Sequence, residues 1–320
     1  MKFKQTSLYQ RLKDIYKTIK NYYRFNFCGS IVFFVIKRTK IKSSYVESKF
    51  HSINNNQKSL FLITVAFNDE ILIQKQIEAM KEFIKDDNYC HIIVDNSSVK
   101  AKRKEMVNVC NKQNITYIPV PKIISCCISK ISGGFSHGTA MNWAFYNIIN
   151  VMKPEYFGFI DHDLFPVENY HVISKLYEQD MYGTLRNREK GWYIWAGFCF
   201  YKYAFIKDIQ MNFSPKVFHS EYFDTGGSNY TRLYQYYNFK QLQFAPTTTL
   251  RIQNFNADIY QDNRIFHNDC IQIIDDSWMH IVHASCINDK ILQKNKIENV
   301  LSNYQKMFSA YQSSKVNNNE

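Results

Sequence analysis

The chain contains 320 residues, of which 45% are hydrophobic and 16% aromatic, so it can bury a sizeable core as one large domain or two small ones. Its formal net charge of +12 is concentrated at one end, because residues 1–50 hold nine Lys and three Arg against one Asp and one Glu. The rest of the chain is nearly neutral, which disfavours a nucleic-acid partner, since such proteins spread basic residues over their folded surface.

The basic N-terminal segment, residues 1–50, predicts an amphipathic helix. Lysines are interleaved with apolar residues at helical spacing, namely Leu8, Leu12, Ile15, Ile19 and Tyr22. Such a helix can lie on an anionic membrane surface, or it can pack its apolar side on the body of the protein. The sequence leaves both interpretations open.

Several features of the sequence bear on cellular location. The longest N-terminal apolar run, Ile31–Ile36, is far shorter than the about 20 residues of a spanning helix, and no secretory leader pattern is visible. The eight cysteines form no C-x-x-C pair, which is typical of reduced packing residues. We therefore expect a cytoplasmic protein that either is free in solution or lies peripherally on the inner face of the membrane.

The first half of the chain alternates between strand and helix patterns. Continuous apolar runs predict strands, and apolar residues at three- and four-residue intervals predict helices. The predicted strands are residues 60–67, 91–98, 115–120 and 156–160, and the predicted helices are 71–84, 99–113 and 139–151. This order indicates an α/β fold, with a mostly parallel central sheet covered by helices on both faces.

After Pro166 the pattern becomes less regular, with aromatic-rich segments between turns. We therefore divide the chain into the basic segment 1–50, a first half at 58–166, a mixed α+β half at 167–290, and a C-terminal helix and polar tail at 291–320.

Acidic residues follow three of the predicted strands. Asp69, Asp95 and the pair Asp161 and Asp163 end strands whose carboxyl ends meet at one edge of a parallel sheet, where ligands bind. A D-x-D at such an edge can hold a hard divalent cation, Mn²⁺ or Mg²⁺, which leaves sites open for phosphate oxygens. The alternative is that Asp163 caps a turn and Asp161 is solvated.

Six segments carry a resemblance to a known family. They are, in chain order, ITVAFND, IIVDNSS, GGFSHGTAMNWA, FIDHDLFP, YIWAGFCFYK and DTGG. Over about residues 58–290 the chain resembles the GT-A glycosyltransferases, especially their bacterial family-2-like branch. The resemblance implies a Rossmann-like nucleotide-sugar-binding half at 58–166 and an acceptor half at 167–290.

The resemblance also implies roles for individual residues. The donor nucleotide-sugar would be bound by Ala66, Asn68, Asp69, Asp95, His137, Gly138, Asn142, Asp161 and Trp195. The metal would be held by Asp161 and Asp163 with a late histidine, for which His280 fits the family spacing better than His283. Trp192 and Trp195 could form a platform on which the sugar stacks, or they could pack in the core. Asp224, in YFDTGGSNY, would be the catalytic base, or it would cap a helix expected at 228–237.

These features predict a metal-dependent hexosyltransferase. It would move a sugar from a nucleotide-sugar, with a UDP-sugar favoured, to a glycan or a lipid-linked glycan. A catalytically silent GT-A-like binding module stays open as an alternative. A sugar-nucleotide nucleotidyltransferase is disfavoured, because the segment after the first strand, FNDEILIQ, lacks the glycine-rich loop of that class.

Overall fold

The computed structural model describes residues 13, 15–42, 45–46, 59–122, 133–251, 270–284 and 289–317. The strands are β1 (Leu60–Ala66), β2 (Tyr89–Asp95), β3 (Thr116–Pro119), β4 (Tyr156–Asp161), β5 (Leu164–Pro166), β6 (Met181–Arg188), β7 (Gly191–Lys202), β8 (Lys216–Phe218), β9 (Glu221–Phe223), β10 (Thr247–Arg251), β11 (Cys270–Ile274) and β12 (Trp278–His280). The α-helices are α1 (Gly29–Arg38), α2 (Glu70–Phe83), α3 (Lys100–Lys112), α4 (Gly133–Ala144), α5 (Asn150–Met152), α6 (Tyr203–Ile206) and α7 (Lys290–Asn317).

The central sheet has six strands in the order β3-β2-β1-β4-β7-β6. The first four are parallel to one another, and β7 alone runs in the opposite direction. The predicted α/β fold with a mostly parallel sheet is therefore confirmed. The carboxyl ends of β1, β2 and β4 meet at one edge, as expected of parallel strands.

Both faces of the sheet are covered because successive side chains of β1 point to opposite sides. Phe61 and Ile63 pack in one apolar cluster with α4 and the π-helical segment Phe145–Ile149 that continues it. Leu60 and Leu62 pack on the other face, in a cluster that includes Met80 of α2. A strand buried on both sides reads as a continuous apolar run, which is why β1 was predictable from LFLITVA.

A second sheet connects the two halves of the chain. It has four antiparallel strands in the order β10-β11-β12-β5. β5 follows β4 after only two residues, and it pairs with β12 so that Leu164 lies opposite His280. The turn between the two sheets therefore contains the D-x-D, and the pairing brings a distant histidine strand to it.

Two predicted elements differ from the structure. The glycine-containing stretch before the third predicted helix is itself helical, since α4 begins at Gly133. The helix expected at 228–237 is absent, and two 3₁₀ turns, Gly227–Asn229 and Tyr234–Tyr236, stand in its place. Gly226, with φ of +94°, directs the chain into the first turn, a conformation that glycine adopts without steric cost.

The N-terminal helix comprises residues 15–22, a π-helical segment Tyr23–Cys28, and α1. From Phe25 onwards one face of the helix is buried and the opposite face is exposed, whereas residues 15–24 are exposed or half-buried. The predicted apolar stripe is thus helical from Ile15 onwards, while Leu8 and Leu12 lie outside the described residues. Within the described part of the chain, no helix is both long and apolar enough to cross a bilayer.

A buried histidine in β2 should make the stability depend on pH. Burial lowers the pKa of His91 to about 3, below its ordinary 6.5. Between about pH 6.5 and pH 3, His91 is therefore protonated in the unfolded chain but neutral in the folded chain. The free energy of unfolding consequently decreases as the pH falls through this window. We expect a loss of about 2 kcal/mol between pH 7 and pH 5 from this residue.

The measurement is urea unfolding of the parent and of His91→Gln at pH 7, 6 and 5. The difference in unfolding free energy between the two proteins should shrink towards acid pH. Curves that stay parallel across this range would contradict the assignment.

Candidate active site

The turn between β4 and β5 concentrates ligand atoms. Asp161, His162 and Asp163 each offer one such atom, and these atoms lie within 4.8 Å of one another. Asp161 is the last residue of β4, and β5 begins immediately after Asp163. Only His162 and Asp163 therefore separate β4 of the six-stranded sheet from β5 of the four-stranded sheet.

Imidazoles surround Asp161. Its Oδ1 lies 3.6 Å from His137 Nδ1 and 3.7 Å from His162 Nδ1. Burial alone would raise the pKa of Asp161, but the positive charges of these histidines outweigh it and hold the pKa well below its usual range. Burial would likewise lower the pKa of His162, yet the hydrogen bond to Asp161 and the charge of Asp163 raise it to about 9.

Asp163 and His280 form the inner part of the site. Asp163 is 4% exposed, and its Oδ1 has no hydrogen-bond partner although it is 3.4 Å from His280 Nε2. A buried carboxylate oxygen without a partner is costly, so this atom is suited to a cation that would compensate it.

Gln272 fixes the orientation of His280. Its Nε2 donates to Thr249 Oγ1 over 3.2 Å, so its Oε1 faces His280 Nδ1 at 3.0 Å and accepts a hydrogen bond from it. The lone pair of His280 then lies on Nε2, which is directed at Asp163. A histidine held in this way by a neighbouring carbonyl is the usual arrangement of a metal ligand. Two carboxylates and one imidazole suit Mn²⁺, and Mg²⁺ prefers oxygen ligands alone.

A chain of buried hydrogen bonds holds the turn from the side of α2. Gln76 Nε2 donates to the backbone oxygens of Asp161 over 2.8 Å and of Leu164 over 2.5 Å. Its Oε1 accepts from Thr64 Oγ1 over 2.6 Å, and Thr64 lies 3.0 Å from His91 Nε2. Sequence analysis did not identify Gln76, although a glutamine on the apolar face of a predicted helix was a usable signal.

Gln76→Leu should weaken metal binding without removing a ligand. The leucine fills similar space but leaves the Asp161 and Leu164 carbonyls without their donor, so the turn can shift. Loss of a group that orients ligands typically costs 10- to 100-fold in metal affinity. The measurement is Mn²⁺ titration by calorimetry, with Gln74→Leu as the matched control, because Gln74 is exposed on the same helix. Equal Mn²⁺ affinity in the parent and Gln76→Leu would contradict this role.

The end of β1 is linked to the end of β2 by Asn68. Its Oδ1 accepts hydrogen bonds from the backbone nitrogens of Ser98 and Val99, and its own nitrogen donates to Ser97 Oγ. Asp69 caps α2 by accepting from Leu72 N over 3.1 Å, and burial raises its pKa. Both residues are half-buried at the predicted edge of the sheet.

Ala66 and Asp95 are enclosed, in contrast to the open positions expected of donor-binding residues. Both are fully buried. The Asp95 carboxylate accepts hydrogen bonds from Ser97 N over 2.8 Å and from Tyr117 Oη over 2.7 Å. The structure therefore gives Asp95 a role in holding the end of β2, and its contact with a nucleotide stays a prediction.

The three residues of α4 that were predicted to bind the donor have different surroundings. His137 faces Asp161, as described above. Gly138 packs so closely on the backbone of Phe213 that a Cβ atom would lie 2.5 Å from its oxygen. Asn142 is buried and bonds with Asn212, Phe213 and Ser214. Gly138 and Asn142 thus pack against the segment Asn212–Ser214. The structure does not bring them to the open edge of the sheet.

Trp195 lies between His280 and a basic residue. Its half-buried ring lies 5.1 Å from the ring of His280, and the Arg186 guanidinium lies 5.2 Å from the Trp195 ring. Burial lowers the pKa of Arg186, and the charge of Asp224 acts in the opposite direction. Trp195 therefore lies at the rim of the site. Trp192, by contrast, is packed in the core against Tyr234.

Asp224 borders the first turn of α4. Its Oδ1 accepts hydrogen bonds from Tyr222 Oη over 3.1 Å and from Thr225 Oγ1 over 3.4 Å. A Cβ atom at Gly134 would lie 2.9 Å from the same oxygen, so glycine leaves room for this carboxylate. His137, which faces Asp161, is three residues further along the helix and therefore about 5–6 Å away on the same side.

The expectation that Asp224 caps a following helix is wrong. The 3₁₀ turn Gly227–Asn229 receives no side-chain cap, and its N-cap residue is Gly226. The Asp224 carboxylate points instead to α4, and it is half-buried. Asp224 and Asp161 thus both lie beside the first turn of α4, Asp224 near Gly134 and Asp161 near His137.

Comparison with known proteins gives matches among solved structures, whereas no protein-family model and no curated protein matches the chain. TarS of S. aureus in complex with UDP-GlcNAc is 13% identical, with a TM-score of 0.33 over 48% of this chain and 48% of that one. PcManGT, a mannosyltransferase of Pyrobaculum calidifontis in complex with GDP-Man and Mn²⁺, is 11% identical, with a TM-score of 0.34 over 56% and 55%. The mannosyltransferase Ktr4p of S. cerevisiae is 9% identical, with a TM-score of 0.33 over 47% and 57%.

The matched structures are glycosyltransferases of the GT-A fold, the class that the sequence resembles. The chain spans about half the length of these three structures, between 48% and 57%. Similarity at this level does not assign an activity, a donor or a metal to this chain.

Proposed function

We propose that the protein is a metal-dependent glycosyltransferase that moves a sugar from a nucleotide-sugar to a glycan or a lipid-linked glycan. The observation that carries this proposal is the pair Asp163 and His280, in which a buried carboxylate oxygen without a hydrogen-bond partner lies 3.4 Å from Nε2, the ring nitrogen that carries the lone pair when the imidazole is neutral. The pair lies at the edge of the sheet where nucleotides bind in α/β folds.

Asp161, Asp163 and His280 would hold Mn²⁺ or Mg²⁺. The bound ion would supply positive charge to a departing diphosphate. Asn68 and Asp69, at the end of β1, would contact the nucleotide, and Trp195 would stack on the donor sugar beside the ion. We favour a UDP-sugar as the donor.

Asp224 would accept the proton of the attacking hydroxyl group. It is half-buried across the first turn of α4 from Asp161, so an acceptor between the two could reach both the base and the donor sugar. Hydrogen bonds from Tyr222 and Thr225 fix the carboxylate, and orientation of this kind is what general-base catalysis requires. The protein would work in the cytoplasm, at the inner face of an anionic membrane.

Nucleotide binding tests the proposal directly. We expect UDP to bind at least tenfold more tightly in Mn²⁺ than in EDTA, a difference of about 1.4 kcal/mol or more, because an ion held by Asp161 and Asp163 would supply positive charge to the diphosphate. The measurement is calorimetry with UDP and with GDP, followed by hydrolysis assays on the corresponding nucleotide-sugars.

The control in this experiment is uridine, which lacks the diphosphate and should bind without regard to Mn²⁺. Equal UDP affinity in Mn²⁺ and in chelator would exclude a metal-bridged diphosphate. Metal-dependent binding with no turnover of any nucleotide-sugar would instead favour the catalytically silent binding module.

A further inference from the structure

The N-terminal helix, residues 15–38, has one apolar face fixed to the body of the protein. Phe25, Gly29, Phe33 and Ile36 are buried on that face. Gly29 packs on the ring of Phe135, and the Asn26 side chain forms hydrogen bonds with the nitrogen and the oxygen of Val217. The helix is therefore part of the fold, and its orientation relative to the body is set.

The opposite face of the same helix is apolar and exposed. Ile19, Tyr23, Phe27 and Ile31 follow one another at four-residue intervals, and each is between 52% and 64% exposed. The exposed stripe, as we call this face, also includes Tyr16, Tyr22, Phe34 and Val35. Single exposed apolar residues are ordinary, but a continuous row of them marks an interaction surface.

The charges around the exposed stripe indicate what it contacts. Residues 15–42 contain seven Lys or Arg and no Asp or Glu. The Arg38 guanidinium lies 3.4 Å from the centre of the Phe34 ring, so a cation borders the apolar surface itself. A second copy of this surface would bring like charges together, whereas anionic lipid headgroups would neutralise them.

We propose that the exposed stripe lies in the headgroup region of an anionic membrane, with its aromatic and aliphatic side chains among the acyl chains. This is the geometry of an interfacial amphipathic helix, whose binding combines apolar burial with attraction to anionic lipids. Under this proposal the two interpretations that the sequence leaves open hold together, because different faces of one helix serve them.

The docking of the helix also locates the candidate base relative to the membrane. The Phe25 ring lies 5.0 Å from the ring of Tyr222, and the Tyr222 hydroxyl donates to Asp224 over 3.1 Å. Asp224 is thus separated from the exposed stripe by the helix, which is about 10–12 Å across, and by the Tyr222 side chain. Resting on the proposed function, this places the acceptor site near the headgroups, so the acceptor class is a saccharide carried by a membrane lipid.

The test of the membrane contact is co-sedimentation of the full chain with vesicles. We expect at least tenfold tighter binding to equimolar phosphatidylglycerol and phosphatidylcholine than to phosphatidylcholine alone. Phe27→Ser combined with Phe34→Ser should weaken binding to the anionic vesicles at least tenfold. The matched control combines Tyr177→Ser with Tyr236→Ser, since these residues are 71% and 72% exposed elsewhere on the protein.

Point substitutions are needed here because deletion of residues 1–43 would also remove the buried Phe25, Phe33 and Ile36 and expose the core beneath them. Unaltered vesicle binding of the Phe27 and Phe34 double variant, or equal binding to both kinds of vesicle, overturns the proposal. A dimer that this double variant dissociates in sedimentation velocity, without vesicle binding by the parent, overturns it in favour of a second copy.

The acceptor class has its own experiment. Transfer to long-chain alkyl glycosides in anionic vesicles should exceed transfer to the matching methyl glycosides, and the double variant should lose this preference while keeping Mn²⁺-dependent UDP binding. Equal rates on both forms overturn the lipid-borne acceptor. Failure of the parent to bind UDP with Mn²⁺ overturns the proposed function instead, and it leaves the vesicle result unaffected.

Discussion

Replacing Asp163 with alanine is expected to abolish Mn²⁺-dependent nucleotide binding and turnover while leaving the fold intact. Removing a group that only orients a metal ligand costs 10- to 100-fold in affinity, so loss of a ligand should cost more than about 100-fold. In EDTA the variant should melt close to the parent, because the substitution removes a buried carboxylate oxygen that has no hydrogen-bond partner but also removes the negative charge beside His162. Calorimetry with UDP and Mn²⁺, and melting curves in EDTA, measure the two effects.

The control for this variant is Asp87→Ala, which removes an exposed carboxylate from the connection between α2 and β2. It should behave as the parent in both assays. If Asp163→Ala melts well below the parent in EDTA, Asp163 is a structural residue and its assignment to the metal fails. Retained Mn²⁺-dependent UDP affinity would have the same consequence.

Asp224→Asn is expected to reduce sugar transfer by about 10²- to 10⁴-fold, the usual effect of removing a general base. The amide retains the shape of the carboxylate and can still accept from Tyr222, so the melting temperature and the donor affinity should stay at parental values. The measurements are the transfer rate at saturating donor, the UDP affinity in Mn²⁺, and the melting curve.

Asp208→Asn is the matched control, since Asp208 is an exposed carboxylate that has no assigned role in the site. Near-parental transfer by Asp224→Asn would exclude it as the base and direct attention to Glu221. The sequence offers two further alternatives, which are Asp262, outside the described residues, and a retaining mechanism that needs no such base. A variant that loses transfer and donor binding together would show that Asp224 acts on the donor and not on the acceptor.

The sheet edge was predictable because it follows from local patterns. Apolar runs that end in acids identified the ends of β1, β2 and β4, and parallel strands bring such ends together. The choice of His280 over His283 came from spacing alone. The structure places His280 beside Asp163, whereas His283 is exposed with φ of +61°.

Other parts of the candidate site depend on contacts between residues that are distant in sequence. Asn142 is buried because the segment Asn212–Ser214, some seventy residues later, packs over it. Asp95 is enclosed by Tyr117 of the next strand. A motif shows which residue types are present, but burial by a later segment is not visible in it, so open and enclosed positions looked alike.

The N-terminal helix shows a different limit of sequence reading. The pattern from Ile15 to Tyr22 identified a helical stripe, and that stripe is the exposed one. The π-helical segment Tyr23–Cys28 then changes the number of residues per turn, so the apolar positions after it no longer keep the same phase. Phe33 and Ile36 consequently face the core, which a regular helical wheel does not predict.

The pairing of β5 with β12 has a consequence for how the chain folds. Phe165 lies opposite Met279, so the three-residue strand β5 pairs with a strand that is more than a hundred residues later in the sequence. Closing so long a loop is slow, and contacts of this kind form late in folding. A nascent chain that has emerged only as far as Pro166 therefore contains Asp161 and Asp163 but not β12, so His280 can join these two acids only after β12 has been synthesised.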